Sequence, residues 1–365
     1  MPSADSLLRG KFTMTVCNAC RYCEEYCPVF PAMEQRRTFT KADLEYLAHL
    51  CHNCGECLYS CQFAPPHEYG INVPQAFAAI RLRSFEDYCW PAFLAGAFRR
   101  SGPLTALGLT VALTGVLFAA TAILNPGALT AGVASANFYE VVPHGVMVAL
   151  FGSVFMFVIL AMAVAVLRFR KEVLSDVTSS PFSASFGVRD ILTLRNLHST
   201  GRDCVAAEEV RTPWRRRFHH FTLYGFLLCF ASTTVAGVYH AFFGWEAPYG
   251  YTSAPVILGT VGGAGLLIGP AGQLVLRARR DPALTDDAGV GLDDAFIVLL
   301  MLTSLTGLIL LVLRDDRMMP VLLIVHLGVV LALFVTLPYG KFVHGLYRAV
   351  ALIKASREGA LESRR

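Results

Sequence analysis

Eight of the eleven cysteines fall between positions 17 and 61, in two runs of one pattern: Cys17, Cys20, Cys23 and Cys27, then Cys51, Cys54, Cys57 and Cys61. Each run reads C-x2-C-x2-C-x3-C, the ligand spacing of two-cluster ferredoxins, in which the fourth cysteine of a run ligates the other run's cluster. The spacing therefore predicts one [4Fe-4S] cluster on Cys17, Cys20, Cys23 and Cys61, and a second on Cys51, Cys54, Cys57 and Cys27. Clusters of this kind exchange single electrons, so the chemistry is electron transfer. Structural zinc also takes thiolates, but it is satisfied by four, usually as two separated pairs, and gives a third cysteine at the next x2 step no role. Disulfides are disfavoured by the crowding of competing partners and by the cytoplasmic placement argued below. The first run ends Cys27-Pro28, whereas the second ends Cys61-Gln62 with Pro65-Pro66 only later, which alters the chain's exit and leaves the ligands intact. Cys89, Cys204 and Cys229 read as structural thiols, and His49, His52 and His67 as partly exposed polar residues beside the clusters.

A second set of chemically capable residues lies in apolar surroundings, where histidine is costly. His326 and His344 are 18 residues apart, five turns at 3.6 residues per turn, so an approximately continuous helix points both to one side about 27 Å apart. An earlier helix offers the reverse order, with His219 and His220 at its start and His240 near its end. Helical phase favours His219 over His220 as the companion of His240. Two antiparallel helices would then present two imidazole pairs, suited to two b-type haems: His219 with His344 on the inner side, and His240 with His326 on the outer side. His144 is an alternative to His240, and Pro338 and Gly340 interrupt the last helix between its two histidines.

The elements that must position these groups follow from composition. The chain has 365 residues, of which 55% are hydrophobic and only 16% charged, which points to a membrane protein. Apolar runs long enough to cross a bilayer occur at about 103–124, 142–167, 220–243, 254–276, 294–313 and 319–338. Arginine and lysine crowd the segments before the first run, between the second and third, and after the fourth and sixth, while 125–141 and 244–253 contain neither. Only Arg314 and Arg317, beside Asp315 and Asp316, break the pattern. The positive-inside rule therefore predicts six crossings with the clusters and both termini in the cytoplasm. The fold expected is mainly α: an N-terminal helical two-cluster ferredoxin-like domain over 1–98, then a six-helix transmembrane bundle. That membrane domain covers 99–348 with a cytoplasmic loop at 168–218, and 349–365 form a cytoplasmic tail. The segment Thr40 to Leu50 begins at a Thr cap and spaces Leu44, Leu47 and Ala48 on one helical face. Loop 168–218, with turn signals around Ser179 and Gly201, is expected to pack on the cluster domain. Trp214-Arg215-Arg216-Arg217 reads as a membrane-surface anchor, and Gly259, Gly262, Gly263, Gly265 and Gly269 as a close helix contact rather than a phosphate loop.

Several longer motifs carry a resemblance. Cys27-Pro28-Val29-Phe30, Asp43-Leu44-Glu45-Tyr46-Leu47-Ala48, Ala64-Pro65-Pro66-His67-Glu68, Arg216-Arg217-Phe218-His219-His220-Phe221 and Gly269-Pro270-Ala271-Gly272 resemble the tricarballylate (citrate) utilisation protein B family. That resemblance covers essentially the whole chain. It implies a bacterial inner-membrane protein that takes electrons from the FAD of a soluble dehydrogenase, tricarballylate dehydrogenase, and delivers them through [4Fe-4S] clusters and haem b to quinone. Pro338-Tyr339-Gly340-Lys341-Phe342-Val343-His344 also resembles the end of the last haem-binding helix of nitrate-reductase gamma subunits, which supports His344 and His326. The alternatives are an iron-sulfur redox sensor without throughput, and a subunit like those of heterodisulfide reductases, for which no extra catalytic cysteine pair is evident. No nucleophile triad, dinucleotide fingerprint or nucleic-acid surface is present.

Overall fold

The computed structural model describes residues 2–130, 137–175, 184–194, 197, 213–284 and 287–359, and no strand occurs among them. The N-terminal part is α1 (Pro2–Cys20), α2 (Val29–Glu34), α3 (Lys41–Leu50), α4 (Glu56–Tyr59), α5 (Val73–Tyr88) and α6 (Ala92–Arg100). Then come α7 (Gly102–Leu124), α8 (Pro126–Thr130), α9 (Phe138–Val141), α10 (His144–Val173), α11 (Ala184–Thr193), α12 (Trp214–Phe243), α13 (Ala254–Ala278), α14 (Asp287–Val312), α15 (Met319–Thr336) and α16 (Val343–Arg357). Ser179, Gly201 and Cys204 lie outside the described residues.

The N-terminal domain is built around α3. Its Thr40 cap accepts from the Asp43 N–H, and the Asp43 carboxylate accepts in return from the Thr40 N–H at 3.0 Å, closing a capping box. The face so fixed buries Leu44, Leu47 and Ala48 with Phe30, Met33, Phe77 and Ile80. The same core continues into Ala165, Phe169 and Val173 of α10 and Tyr347 and Ala351 of α16, so the domain is packed onto one end of the bundle. His49 and His52 are buried, 1% and 7% exposed, rather than the partly exposed residues the sequence suggested. The cause is that docking: the His49 ring packs on Phe169 and Tyr347, and its Nε2 lies 2.7 Å from Ser84 Oγ. Burial, then the charges of Arg81 and Arg348, holds that imidazole well below its ordinary pKa and therefore neutral.

Six helices, α7, α10, α12, α13, α14 from Asp293, and α15, are long and apolar enough to cross a membrane, which makes this a multi-pass membrane protein. Their large outward residues, such as Leu104, Val111, Ile123 and Val261, are exposed on the bundle, as lipid contact requires. The closest helix contact is α12 on α13. A Cβ on Gly225 would stand 2.9 Å from the Gly262 carbonyl, and one on Gly262 would stand 2.8 Å from the Cys229 N, so the two backbones touch directly. α15 instead packs against α7 and α14.

The continuous helix expected from His326 to His344 is broken. Pro338 has no N–H to continue the ladder, and after Thr336 the chain turns, with Tyr339 N–H and Gly340 N–H both returned to the Thr336 carbonyl at 3.1 and 2.9 Å. α16 packs along α3 and α11. Its end is tied down by Glu358, which meets Arg36 at 2.7 Å and the Tyr46 hydroxyl at 2.9 Å.

Candidate functional site

Both cysteine runs wrap cavities in the docked domain. One, of about 300 Å³, is lined by Cys17, Cys20, Cys23 and Cys61 with Phe63 and Ile71. The other, closed to about 10 Å³ by its side chains, is lined by Cys27, Cys51, Cys54 and Cys57 with His52 and Tyr26. Phe30, Cys57 and Val73 line both, so the cavities share a wall. The fourth cysteine of each run thus shares a cavity with the first three of the other run: Cys61 with Cys17, Cys20 and Cys23, and Cys27 with Cys51, Cys54 and Cys57.

The loops that curve round these cavities use left-handed residues. Arg21 and Asn53 sit at φ 55°, and Gly55 at φ 90° is hemmed in by Tyr59 and Leu284, so only glycine fits there. The Asn53 N–H points at Cys51 Sγ, 3.3 Å away, the direction of a donor to a ligating sulfur. Burial, and then the charges of Cys61, Cys23 and Cys20, pushes the Cys17 thiol up; burial and the charge of Cys51 push Cys54 up to about 11. Thiols so crowded become thiolates only when a cation takes the charge, which is how metal binding drives deprotonation. Among the described residues no three His, Cys, Asp or Glu side chains close on a point that could hold a single ion. Zinc would need four ligands about 2 Å from one centre. The four thiols around the larger cavity leave room for a cluster of several atoms, and the donor set of both runs is that of iron-sulfur binding.

The helices that bond to the second run through Arg215 and Arg348 also present one of the histidine pairs. His219 of α12 and His344 of α16 have ring centroids 6.2 Å apart with planes at 82°. Two metal–nitrogen bonds of about 2 Å plus the ring radii place bis-imidazole centroids roughly 6 Å apart. His344 Nδ1 is hydrogen-bonded to the Lys341 carbonyl, an acceptor, so Nδ1 carries the proton and Nε2 keeps its lone pair. Burial, followed by the charges of Lys341 and Arg348, pushes His344 down to about 3, so the ring is neutral and ready to ligate. His220 is turned away, its Nε2 donating to the Thr193 carbonyl at 3.1 Å.

The outer pair is not assembled. His240 lies on His144, with centroids 3.6 Å apart at 30°, too close for an iron between the rings. His326 faces α14, its Nδ1 3.0 Å from Thr306 Oγ1 and its ring against Gly307. Helical phase told which face of each helix carries a histidine; it did not tell that α12 packs on α13 while α15 packs on α7 and α14.

Three arginines, Arg215, Arg280 and Arg348, join the second run to the bundle, and a fourth, Arg81 of α5, ties it within its own domain. Arg215, read from sequence as a surface anchor, donates to the His52 and Asn53 carbonyls at 2.6 and 3.3 Å. Arg280 also binds the Asn53 carbonyl, and Arg348 binds those of His49, at 3.1 Å, and Cys51. Arg81 binds the Ala48 carbonyl at 2.8 Å and that of Cys51 at 3.4 Å. The signal was present: Arg215 stands four residues before His219, and Arg348 four residues after His344. Asn53 and Asn72 add bonds to the Leu284 and Ala283 carbonyls at 3.0 and 2.8 Å.

Residues 99–364 match the family described as citrate utilization protein B, and residues 10–87 match the citrate utilization protein B Fer4-like domain. Citrate utilization protein B of Escherichia coli is 49% identical over 353 residues, covering 96% of this chain and 91% of that protein. No solved structure matches.

Proposed function

The chain belongs to the citrate utilization protein B family, and from that premise we propose that it relays electrons from the reduced FAD of a soluble dehydrogenase to quinone in the bilayer. Tricarballylate is the dehydrogenase substrate that the family resemblance favours. Two [4Fe-4S] clusters and one b-type haem would supply the one-electron steps: FADH2 gives up two electrons and two protons, and quinone takes up two of each. Cys17, Cys20, Cys23 and Cys61 would hold the first cluster, Cys27, Cys51, Cys54 and Cys57 the second, and His219 and His344 the haem iron. The family description names citrate, and either tricarboxylate would be oxidised by the partner rather than by this chain.

The observation that carries the reading is that the second cysteine run is held by the same two helices that present the histidine pair. Arg348, one turn beyond His344, binds the carbonyls of His49 and Cys51, and Arg215, one turn before His219, binds those of His52 and Asn53. The segment that carries Cys51 is thereby seated on the two helices that present the imidazoles. The first cavity is more open, with Cys20 exposed, which suits it to meet a donor. The arginine-rich connections of the docked end favour its placement in the cytoplasm.

Membranes containing the protein and the flavoprotein partner test the reading. Substrate should reduce a b-type haem and then quinone. Clusters that reduce while no haem is present and quinone reduction is unchanged would overturn it and favour a redox sensor.

A further inference from the structure

The two cysteine runs have opposite electrostatic surroundings, although their ligand spacing is the same. Around the second run, Arg81 from α5, Arg215 from α12, Arg280 from the connection after α13 and Arg348 from α16 converge on the carbonyls of residues 48–53. Arg81 and Arg348 make their hydrogen bonds to carbonyls, and no carboxylate pairs with either among the described residues. One carboxylate, Glu56, lies in the run itself between Cys54 and Cys57. At the first run the balance is acidic: Glu24 and Glu25 follow Cys23, and the Glu34 carboxyl is hydrogen-bonded to Glu24, with Arg21 the neighbouring cation.

Arg81 and Arg348, brought together on these carbonyls, need a counter-charge, because desolvated cations without one are costly. Carbonyl dipoles supply part of it. The rest fits a cofactor that is anionic and becomes more so on reduction. Positive charges close by, in a medium of low dielectric, favour the reduced form and raise its potential.

The geometry points to Arg81, Arg215, Arg280 and Arg348 as a potential-setting cage that makes the second cluster the easier of the two to reduce. This rests on the reading that both runs hold [4Fe-4S] clusters. It goes further by giving the relay a direction: an electron entering at the exposed first run moves downhill to the run seated on His219 and His344. The arginines are positioning and tuning residues, and none of them ligates or accepts the electron.

The test is a dithionite titration of the purified full-length protein in nanodiscs, followed by electron paramagnetic resonance, which reads each cluster without turnover. The wild type should show two cluster signals at separate potentials. In R348Q and R81Q the higher-potential cluster should have an about tenfold lower reduced-to-oxidised ratio at fixed potential, a downward shift of about 59 mV for a one-electron couple, with the other unmoved. R348K, which keeps the charge, should retain most of the wild-type value. Equal shifts of both clusters, no shift in either Gln variant, or the same shift in R348K as in R348Q would each overturn the cage while leaving the electron-transfer reading standing. A wild-type protein with no reducible cluster would overturn both.

Discussion

Arg215 donates to the His52 carbonyl at 2.6 Å from a position one helical turn before His219 on the same helix. A single rigid element therefore fixes both the backbone beside Cys51 and one imidazole of the inner pair. Arg348 and His344 repeat the relation on α16. Cluster run and histidine pair are consequently held by common supports, and a change at one should be felt at the other.

Replacing His219 or His344 with Ala should abolish the b-type absorbance of purified protein, because each removes one of two imidazoles set 6.2 Å apart. His220→Ala should leave haem content at the wild-type level, since that ring is engaged with Thr193. Pyridine haemochrome assays and reduced-minus-oxidised spectra check this. Retention of haem in both H219A and H344A would refute the site.

His240→Ala and His326→Ala should keep the wild-type ratio of haem to protein. The His240 ring lies 3.6 Å from that of His144, and His326 is bonded to Thr306 on α14. Halving of the ratio in either variant would restore the second haem that helical phase suggested.

The legible parts of the sequence were those governed by local spacing. Six apolar stretches gave six helices, and the two cysteine runs gave two cavities, because chain length and ligand spacing act over a few residues. The glycines from Gly259 to Gly269 were readable as a contact surface for the same reason. What the sequence hid was the identity of neighbours. Arg215 meets Asn53 across 162 positions and Arg348 meets Cys51 across 297, and no local pattern specifies such pairs. His49 is the same case, since its burial comes from Phe169 and Tyr347, both distant in the sequence.

The capping box gives a pH-dependent expectation. Burial alone would raise the Asp43 pKa, but hydrogen bonds from Thr40 and Arg36 outweigh it and hold the carboxyl below its ordinary value. A carboxyl with a depressed folded pKa contributes stability fully above its unfolded pKa of about 4 and loses it as pH falls through the folded value. Asp43→Asn should therefore cost about 1 kcal/mol at neutral pH, and the cost should shrink only below about pH 4. Thermal unfolding in detergent at a series of pH values checks it; a cost that grows on acidification would contradict the assignment.

Gly225 tests the packing that holds α12. An added methyl would stand 2.9 Å from the Gly262 carbonyl and 3.0 Å from the Leu266 N, both backbone atoms that cannot swing aside. Gly225→Ala should destabilise the protein by about 1–3 kcal/mol and, by moving the helix that bears His219, broaden the haem spectrum. Gly237→Ala on the same helix, with open space at its Cβ, is the control and should do neither.

The two cysteine runs should also differ in lability. Cys20 is exposed and its neighbour Tyr22 is 65% exposed, whereas Cys51 is 6% exposed and its loop is bonded to four arginines and to Leu284. An oxidant or chelator reaches the first run directly. The buried Cys51 side of the second run lies under the bonds from Arg215, Arg280 and Arg348 that seat its loop on the bundle, and those bonds must break before it is reached. Iron release from the holoprotein under air or a chelator should therefore be biphasic, with the lower-potential resonance signal lost first and the haem spectrum unchanged through that phase. R348Q should accelerate only the slow phase. Monophasic loss, or early loss of the higher-potential signal, would mean that the run seated on the histidines is not the protected one.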